Sequence, residues 1–185
     1  AYGGIVVLNR PLTLETATHI NKIFFEVILA PEYDPQALEL LQSKKARIIL
    51  ETPVPCPLPS QEFRSMLGGV MVQDRDTDID LPDSFTQVTQ KAPTASQVKD
   101  LVFANKLVKH TKSNAIVLVK DQMLLASGMG QTSRVDSLKH AIEKAGSFSI
   151  PLQGAVMASD AFFPFPDCVQ IAREAGIEAV IHPGG

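Results

Sequence analysis

Lys112-Ser-Asn-Ala-Ile-Val-Leu-Val-Lys-Asp-Gln-Met-Leu-Leu-Ala-Ser-Gly-Met-Gly-Gln-Thr-Ser-Arg-Val-Asp-Ser137 is the stretch whose reading decides the fold. Two apolar runs, Ala115 to Val119 and Met123 to Ala126, flank a polar break at Lys120, Asp121 and Gln122. Runs of this length, rich in Val, Ile and Leu, predict two buried strands with a tight connection. Gly128 and Gly130 then break the pattern. Ser133, with Asp136 three residues on, reads as the N-terminal cap of a helix. Val135, Leu138, Ile142 and Ala145 recur behind it at helical spacing. Asn114 and Arg134 stand at the edges of this unit. A helix start carries free N–H groups and positive potential, so an arginine there suits an anionic ligand. Asn114 equally suits a plain turn, and Arg134 a solvated surface position. The Gly-Met-Gly-Gln segment has neither the lysine of a phosphate-cradling loop nor the spacing of a dinucleotide fingerprint.

Outward from this unit the chain reads as alternating layers. Ile5 to Leu8 and Val27 to Ala30 are expected as buried strands and Arg47 to Leu50 as a third. Helices are expected over Leu14 to Phe24, with Ala17, Ile20 and Phe24 on the inner face, and over Gln36 to Lys44. Strand-helix-strand-helix-strand is the signature of an α/β layer on a mainly parallel sheet. Pro53, Pro55, Pro57 and Pro59 then alternate as a stiff connector. Phe63 to Gln73 reads as a strand entered through Gly68-Gly69, and Val88 to Gln90 as extended. Thr94 with Gln97 caps a helix to about Lys109. Asp74, Asp76, Asp78 and Asp80 alternate, but without the glycine and terminal glutamate of a calcium loop.

Val156-Met-Ala-Ser-Asp-Ala-Phe-Phe-Pro-Phe-Pro-Asp167 is the second informative stretch. A strand should end near Ala158. Asp167 is placed to cap a helix from Cys168 to Ala175, which Gly176 ends, and Ile177 to Ile181 is the next strand. Phe162, Phe163 and Phe165 either fill core or, with Asp167, line a slot for a flat heterocycle at the carboxyl end of a strand, where open α/β sheets place ligands.

The chain has 185 residues, 45% of them hydrophobic, and a net charge of −3 with acids and bases interspersed. That supports a packed core and argues against nucleic acid as the partner. No apolar run is long enough for a membrane helix, so no membrane partner is expected. Cys56 and Cys168 stand too far apart in sequence to suggest a disulfide framework, which favours a reducing, cytoplasmic setting. His19, His110, His140 and His182 have no metal-binding spacing. His140 with Glu143 gives H-x-x-E without the P-C-x-x-C of a zinc deaminase, so no metal is expected. The abrupt starts and stops at Ala1 and Gly185 suggest a piece of a longer protein.

Ala1-Tyr-Gly-Gly-Ile-Val6, Glu26-Val-Ile-Leu-Ala-Pro31, Lys112-Ser-Asn-Ala-Ile116, Gly128-Met-Gly-Gln-Thr-Ser-Arg-Val135, Ser159-Asp-Ala-Phe-Phe-Pro-Phe-Pro-Asp167 and Ile181-His-Pro-Gly-Gly185 together closely resemble the transformylase region of the family that joins AICAR formyltransferase to IMP cyclohydrolase. The resemblance runs over essentially the whole chain. The short link between Ala145 and Gly154 looks like the bacterial form, without the insertion of animal homologues. It implies formyl transfer from 10-formyltetrahydrofolate, a cosubstrate, to AICAR ribotide in IMP biosynthesis. It implies a cytidine-deaminase-like α/β fold without zinc, on a mixed, mainly parallel sheet. It implies a duplication too, with residues 1–75 ending one subdomain, 76–93 a linker and 94–185 the second. The family forms intertwined homodimers. Gly3, Glu26, Asn114 and Arg134 fall where the family contacts the ribotide, with Asn114 assisting catalysis. Val135, Phe162 and Asp167 fall where it forms the folate pocket. The family's catalytic Lys-His pair lies in a K-H-x-x-P-x-G motif, expected upstream of Ala1. Lys109-His110 is followed by Thr111 and Lys112 and does not match it. The fragment alone is therefore expected to be inactive. The alternative is a non-catalytic nucleotide- or folate-binding module.

Overall fold

The computed structural model describes residues 3–52 and 58–184. Cys56 and most of the proline connector lie outside them. The chain divides into two compact units, residues 1–76 and 77–185.

In the first unit, β1 (Gly4–Val7), β2 (Phe25–Ala30) and β3 (Ile48–Glu51) form a parallel sheet in that order. Helices α1 (Leu14–Ile20) and α2 (Pro35–Gln42) make the crossovers. Thr13 caps α1 by accepting from Thr16 N, and Asp34 caps α2 by accepting from Gln36 N and Ala37 N. Each satisfies N–H groups a helix start leaves free. Leu12, Ala17, Ile28, Ala30, Ala37 and Leu41 are fully buried between sheet and helices. The opposite sheet face is open. Register puts Ile5, Val27 and Ile48 in one row and Val7, Leu29 and Leu50 in the next. Ile5 is 60% and Val7 67% exposed, so the first strand, expected to be buried, has only its helix-facing side covered.

Helix α1 is shorter than its apolar spacing predicts. Asn21 ends it, a turn follows through Lys22 N to His19 O and Ile23 N to Ile20 O, and Phe25 enters β2. Strand alternation then turns Phe25 inward and leaves Phe24 69% exposed, not in the core. Arg47 holds this corner. Its Nη1 donates to Asn21 Oδ1 at 2.7 Å and its guanidinium lies 4.1 Å from the Phe25 ring centre. Burial pushes its pKa down.

The strand expected over this stretch is a hairpin: β4 (Gln61–Met66) and β5 (Gly69–Asp74) pair antiparallel around a turn at Leu67–Gly68, with Gly68 at φ 78° and Gly69 already in β5. The polar start Gln61-Glu62 hid β4 from the sequence pattern.

In the second unit the sheet order is β7-β6-β8-β9, with β6 (Ile116–Lys120), β7 (Met123–Gly128), β8 (Val156–Ser159) and β9 (Ala179–Ile181). β6 runs antiparallel to both β7 and β8, and only β8–β9 is parallel. "Mainly parallel" therefore describes the first unit, and the second sheet is mixed. Helix α3 (Ala95–Lys109) covers one face through Leu101, Ala104 and Val108, packed on Val117, Val119, Val156 and Ala158. Its start has the expected capping box, with Thr94 and Gln97 bonded reciprocally. Helices α4 (Arg134–Ser147) and α5 (Asp167–Glu174) cover the other face over Ile116, Leu118 and Met157. Before α3, Pro82–Ser84 forms a single 3-10 turn, and Val88 to Gln90, expected to be extended, is a bend-containing loop without strand pairing.

The predicted tight connection is the turn Asp121–Gln122, where both residues have positive φ (51° and 56°). Non-glycine residues rarely adopt this conformation. Asp100, buried on α3, holds it by accepting from Asp121 N at 3.0 Å and Gln122 N at 2.7 Å.

Candidate functional site

The polar groups at the edges of the β6–β7–α4 unit are each tied into the surrounding structure. Asn114 precedes β6, and its Nδ2 donates to Gln131 O at 2.9 Å. Its carbonyl accepts from the fully buried Ser137 Oγ at 2.7 Å. The amide thus closes the Met129–Gln131 loop, and the carbonyl is tied to the first turns of α4. That geometry depends on Gly128. A β-carbon there would lie 1.8 Å from Ser137 O, so only glycine lets β7 pass under α4. Gly128 is the last residue of β7 and not a break in it; Gly130, at φ 65°, makes the turn.

Ser133 caps α4. Its Oγ accepts from Asp136 N at 3.1 Å and donates to Asp136 Oδ2 at 2.7 Å. Arg134 opens the helix with its side chain 24% exposed. Its Nη2 lies 3.6 Å from Asp160 Oδ1, at the end of β8, and its Nε is buried without a partner. The same Asp160 oxygen accepts from Ala115 N at 3.1 Å. One carboxylate therefore joins the segment after Asn114 to the guanidinium of Arg134. Asp160 stood inside the quoted Ser159–Asp167 motif, but nothing in its local pattern marks a partner 26 residues away.

Asp167 and Phe162 follow β8. Asp167 is not the helix cap expected of it: Pro166 occupies that position with helical φ and ψ, so Asp167 lies inside the first turn and accepts from Cys168 N at 2.8 Å. Burial, then the Asp167 carboxylate, pushes the Cys168 thiol up to about 11, against an opposing pull from Arg134. Phe162 and Phe165 are exposed. Phe163 packs on the core and meets His182 edge-on at 5.1 Å. Val135 is half-buried against the same core. In the first unit, Gly3 N donates to Glu26 Oε2 at 2.8 Å, so these two are also neighbours. A β-carbon on Gly3 would lie 2.5 Å from the Phe24 ring.

Among the described residues no group of three or more His, Cys, Asp or Glu side chains is placed to hold a metal ion, and no helix is long and apolar enough to cross a membrane. Lys109 and His110 end α3, and the Lys109 amino group donates to Asp78 O.

The model of the AICARFT/IMPCHase bienzyme family matches residues 1–144. The chain belongs to this family. The bifunctional purine biosynthesis protein PurH of Bacteroides thetaiotaomicron is 60% identical over 185 residues, covering 100% of this chain and 36% of that protein. Those of Chlorobaculum parvum and Caldicellulosiruptor saccharolyticus are each 45% identical over the whole chain, which covers 35% of each. The chain thus spans about a third of the length of these AICARFT/IMPCHase relatives. A solved structure, a Thermotoga maritima diaminohydroxyphosphoribosylaminopyrimidine deaminase/5-amino-6-(5-phosphoribosylamino)uracil reductase, matches over 44% of this chain and 26% of that one at 24% identity, with a TM-score of 0.29.

Proposed function

We propose that this chain forms part of an AICAR formyltransferase, which transfers the formyl group of 10-formyltetrahydrofolate to the 5-amino group of AICAR ribotide in IMP biosynthesis. The observation that carries this reading is family membership across residues 1–144, with relatives alike over the whole chain. The second unit supports it chemically. Arg134 is a partly buried cation at a helix start with an unpartnered donor, beside the Asn114 segment. Such a place suits an anionic ligand.

In this reading Gly3, Glu26, Asn114 and Arg134 contact the ribotide, and Asn114 assists the attack of the amine on the formyl carbon. Val135, Phe162 and Asp167 wall the folate pocket. The Phe162 ring is exposed, which suits stacking on a flat pterin. The proton acceptor and donor, worth about 10²–10⁴-fold for such a step, come from a K-H-x-x-P-x-G segment that the present sequence does not contain. The reading extends to a cytidine-deaminase-like fold without zinc, duplicated in residues 1–75 and 94–185 with a linker at 76–93. It includes an intertwined homodimer and a cytoplasmic setting.

The test is the natural coding sequence and its product. A K-H-x-x-P-x-G motif upstream, and formyl transfer to AICAR by the full-length protein that falls at least about tenfold in Arg134→Ala, are expected. A full-length protein without that motif that binds ribotide but transfers no formyl group would instead establish a non-catalytic binding module.

A further inference from the structure

Asp160 joins the two walls of the second-unit site, the Asn114–Ala115 segment and Arg134. Its side chain is 12% exposed. One oxygen takes the Ala115 N–H at 3.1 Å and faces Arg134 Nη2 at 3.6 Å, while Asp160 N donates to Ala115 O at 3.3 Å. Ala115 is itself fully buried, so the Asn114–Ala115 peptide cannot turn independently of Asp160. A carboxylate this sheltered needs compensating partners, and it has two, one from each wall. Arg134, for its part, spends one nitrogen on Asp160 and keeps a buried Nε with no partner. Nε is enclosed, but the Arg134 side chain keeps 24% of its surface exposed and is open to a ligand there.

We propose that Asp160 is a positioning residue: it locks the Arg134 guanidinium to the Asn114–Ala115 peptide and so holds the exposed part of the Arg134 side chain ready for an anionic ligand. This rests on the ribotide reading above. Without the carboxylate the guanidinium rotates into solvent and the ligand must order it on binding. Affinity then falls through Arg134 and not through loss of a direct contact.

The experiment is a double-mutant cycle in the full-length protein, with AICAR ribotide titrated by calorimetry into wild type, Arg134→Ala, Asp160→Asn and the double variant. Asparagine keeps an acceptor for Ala115 N–H and removes only the charge, and thermal midpoints report folding. The expected result is a loss of about tenfold in affinity from Asp160→Asn when Arg134 is present and less than about twofold when it is absent. Equal losses in both backgrounds, or none in either, would overturn the proposal. Arg134→Ala binding as tightly as wild type is a different result: it removes the ribotide reading itself and this proposal with it. Should Asp160→Asn not fold, the same cycle with Asp160→Glu, which keeps the charge but moves it by one methylene, is decided by the same coupling to Arg134.

Discussion

The two units contain the same strand-helix-strand motif in opposite circumstances. β1–α1–β2 and β8–α5–β9 are both parallel pairs joined by a crossover helix. Their second strands even echo each other, Glu26-Val-Ile-Leu-Ala-Pro31 against Glu178-Ala-Val-Ile-His-Pro183. In the second unit both faces are covered, by α3 on one side and by α4 and α5 on the other, and every residue of β8 is buried. In the first unit only the α1–α2 face is covered, and Ile5, Val7, Ile48 and Leu50 meet solvent. A strand's apolar pattern therefore fixes that it is a strand; whether it is core depends on a second layer, which local sequence does not encode.

The largest effect should come where the second unit is tightest. Gly128→Ala places a methyl group 1.8 Å from Ser137 O, so helix or strand must shift; a loss above about 3 kcal/mol, or failure to fold, is expected in urea titrations. Next is the direct contrast. Leu118→Ala in the doubly covered sheet should cost about 2–5 kcal/mol, and Val7→Ala on the open face within about 0.5 kcal/mol. A Val7→Ala loss as large as that of Leu118→Ala would break the comparison, because it would mean that the first sheet is covered in solution.

Asp100→Ala should cost about 1–3 kcal/mol, since it leaves two N–H groups of the positive-φ turn Asp121–Gln122 without an acceptor. The last effect is a pH dependence. The folded Cys168 thiol titrates near 11, above its ordinary value of 9.0. The folded state therefore holds this proton more tightly than the unfolded chain. Its contribution to stability is complete below about pH 9 and is lost as pH rises through about 11. Urea midpoints measured across that window should fall less steeply in Cys168→Ala than in the parent.

Local signals were legible. The β6–β7 pair, the Thr94–Gln97 box and the Ser133–Asp136 cap each involve residues within a few positions of one another, and their chemistry is complete at that range. The three parallel strands of the first unit were equally plain. What the sequence concealed depends on distance. Phe24 matched the helical spacing of Ala17 and Ile20, but Asn21 ended the helix first. Asp167 looked like a cap because Asp before a helix usually is one, yet Pro166 had already taken a helical backbone. Asn114 and Arg134 were visible as candidates, whereas Asp160 and Ser137, which tie them down, are 45 and 23 residues from the backbone groups they bind.

The central claim is that Arg134, set by the β6–β7–α4 unit, binds an anionic ribotide. Its most direct test is calorimetric titration of AICAR ribotide into the full-length protein and its Arg134→Ala variant, both shown to be folded. The account predicts saturable binding that weakens at least about tenfold in the variant. Equal affinity in the two proteins would contradict it.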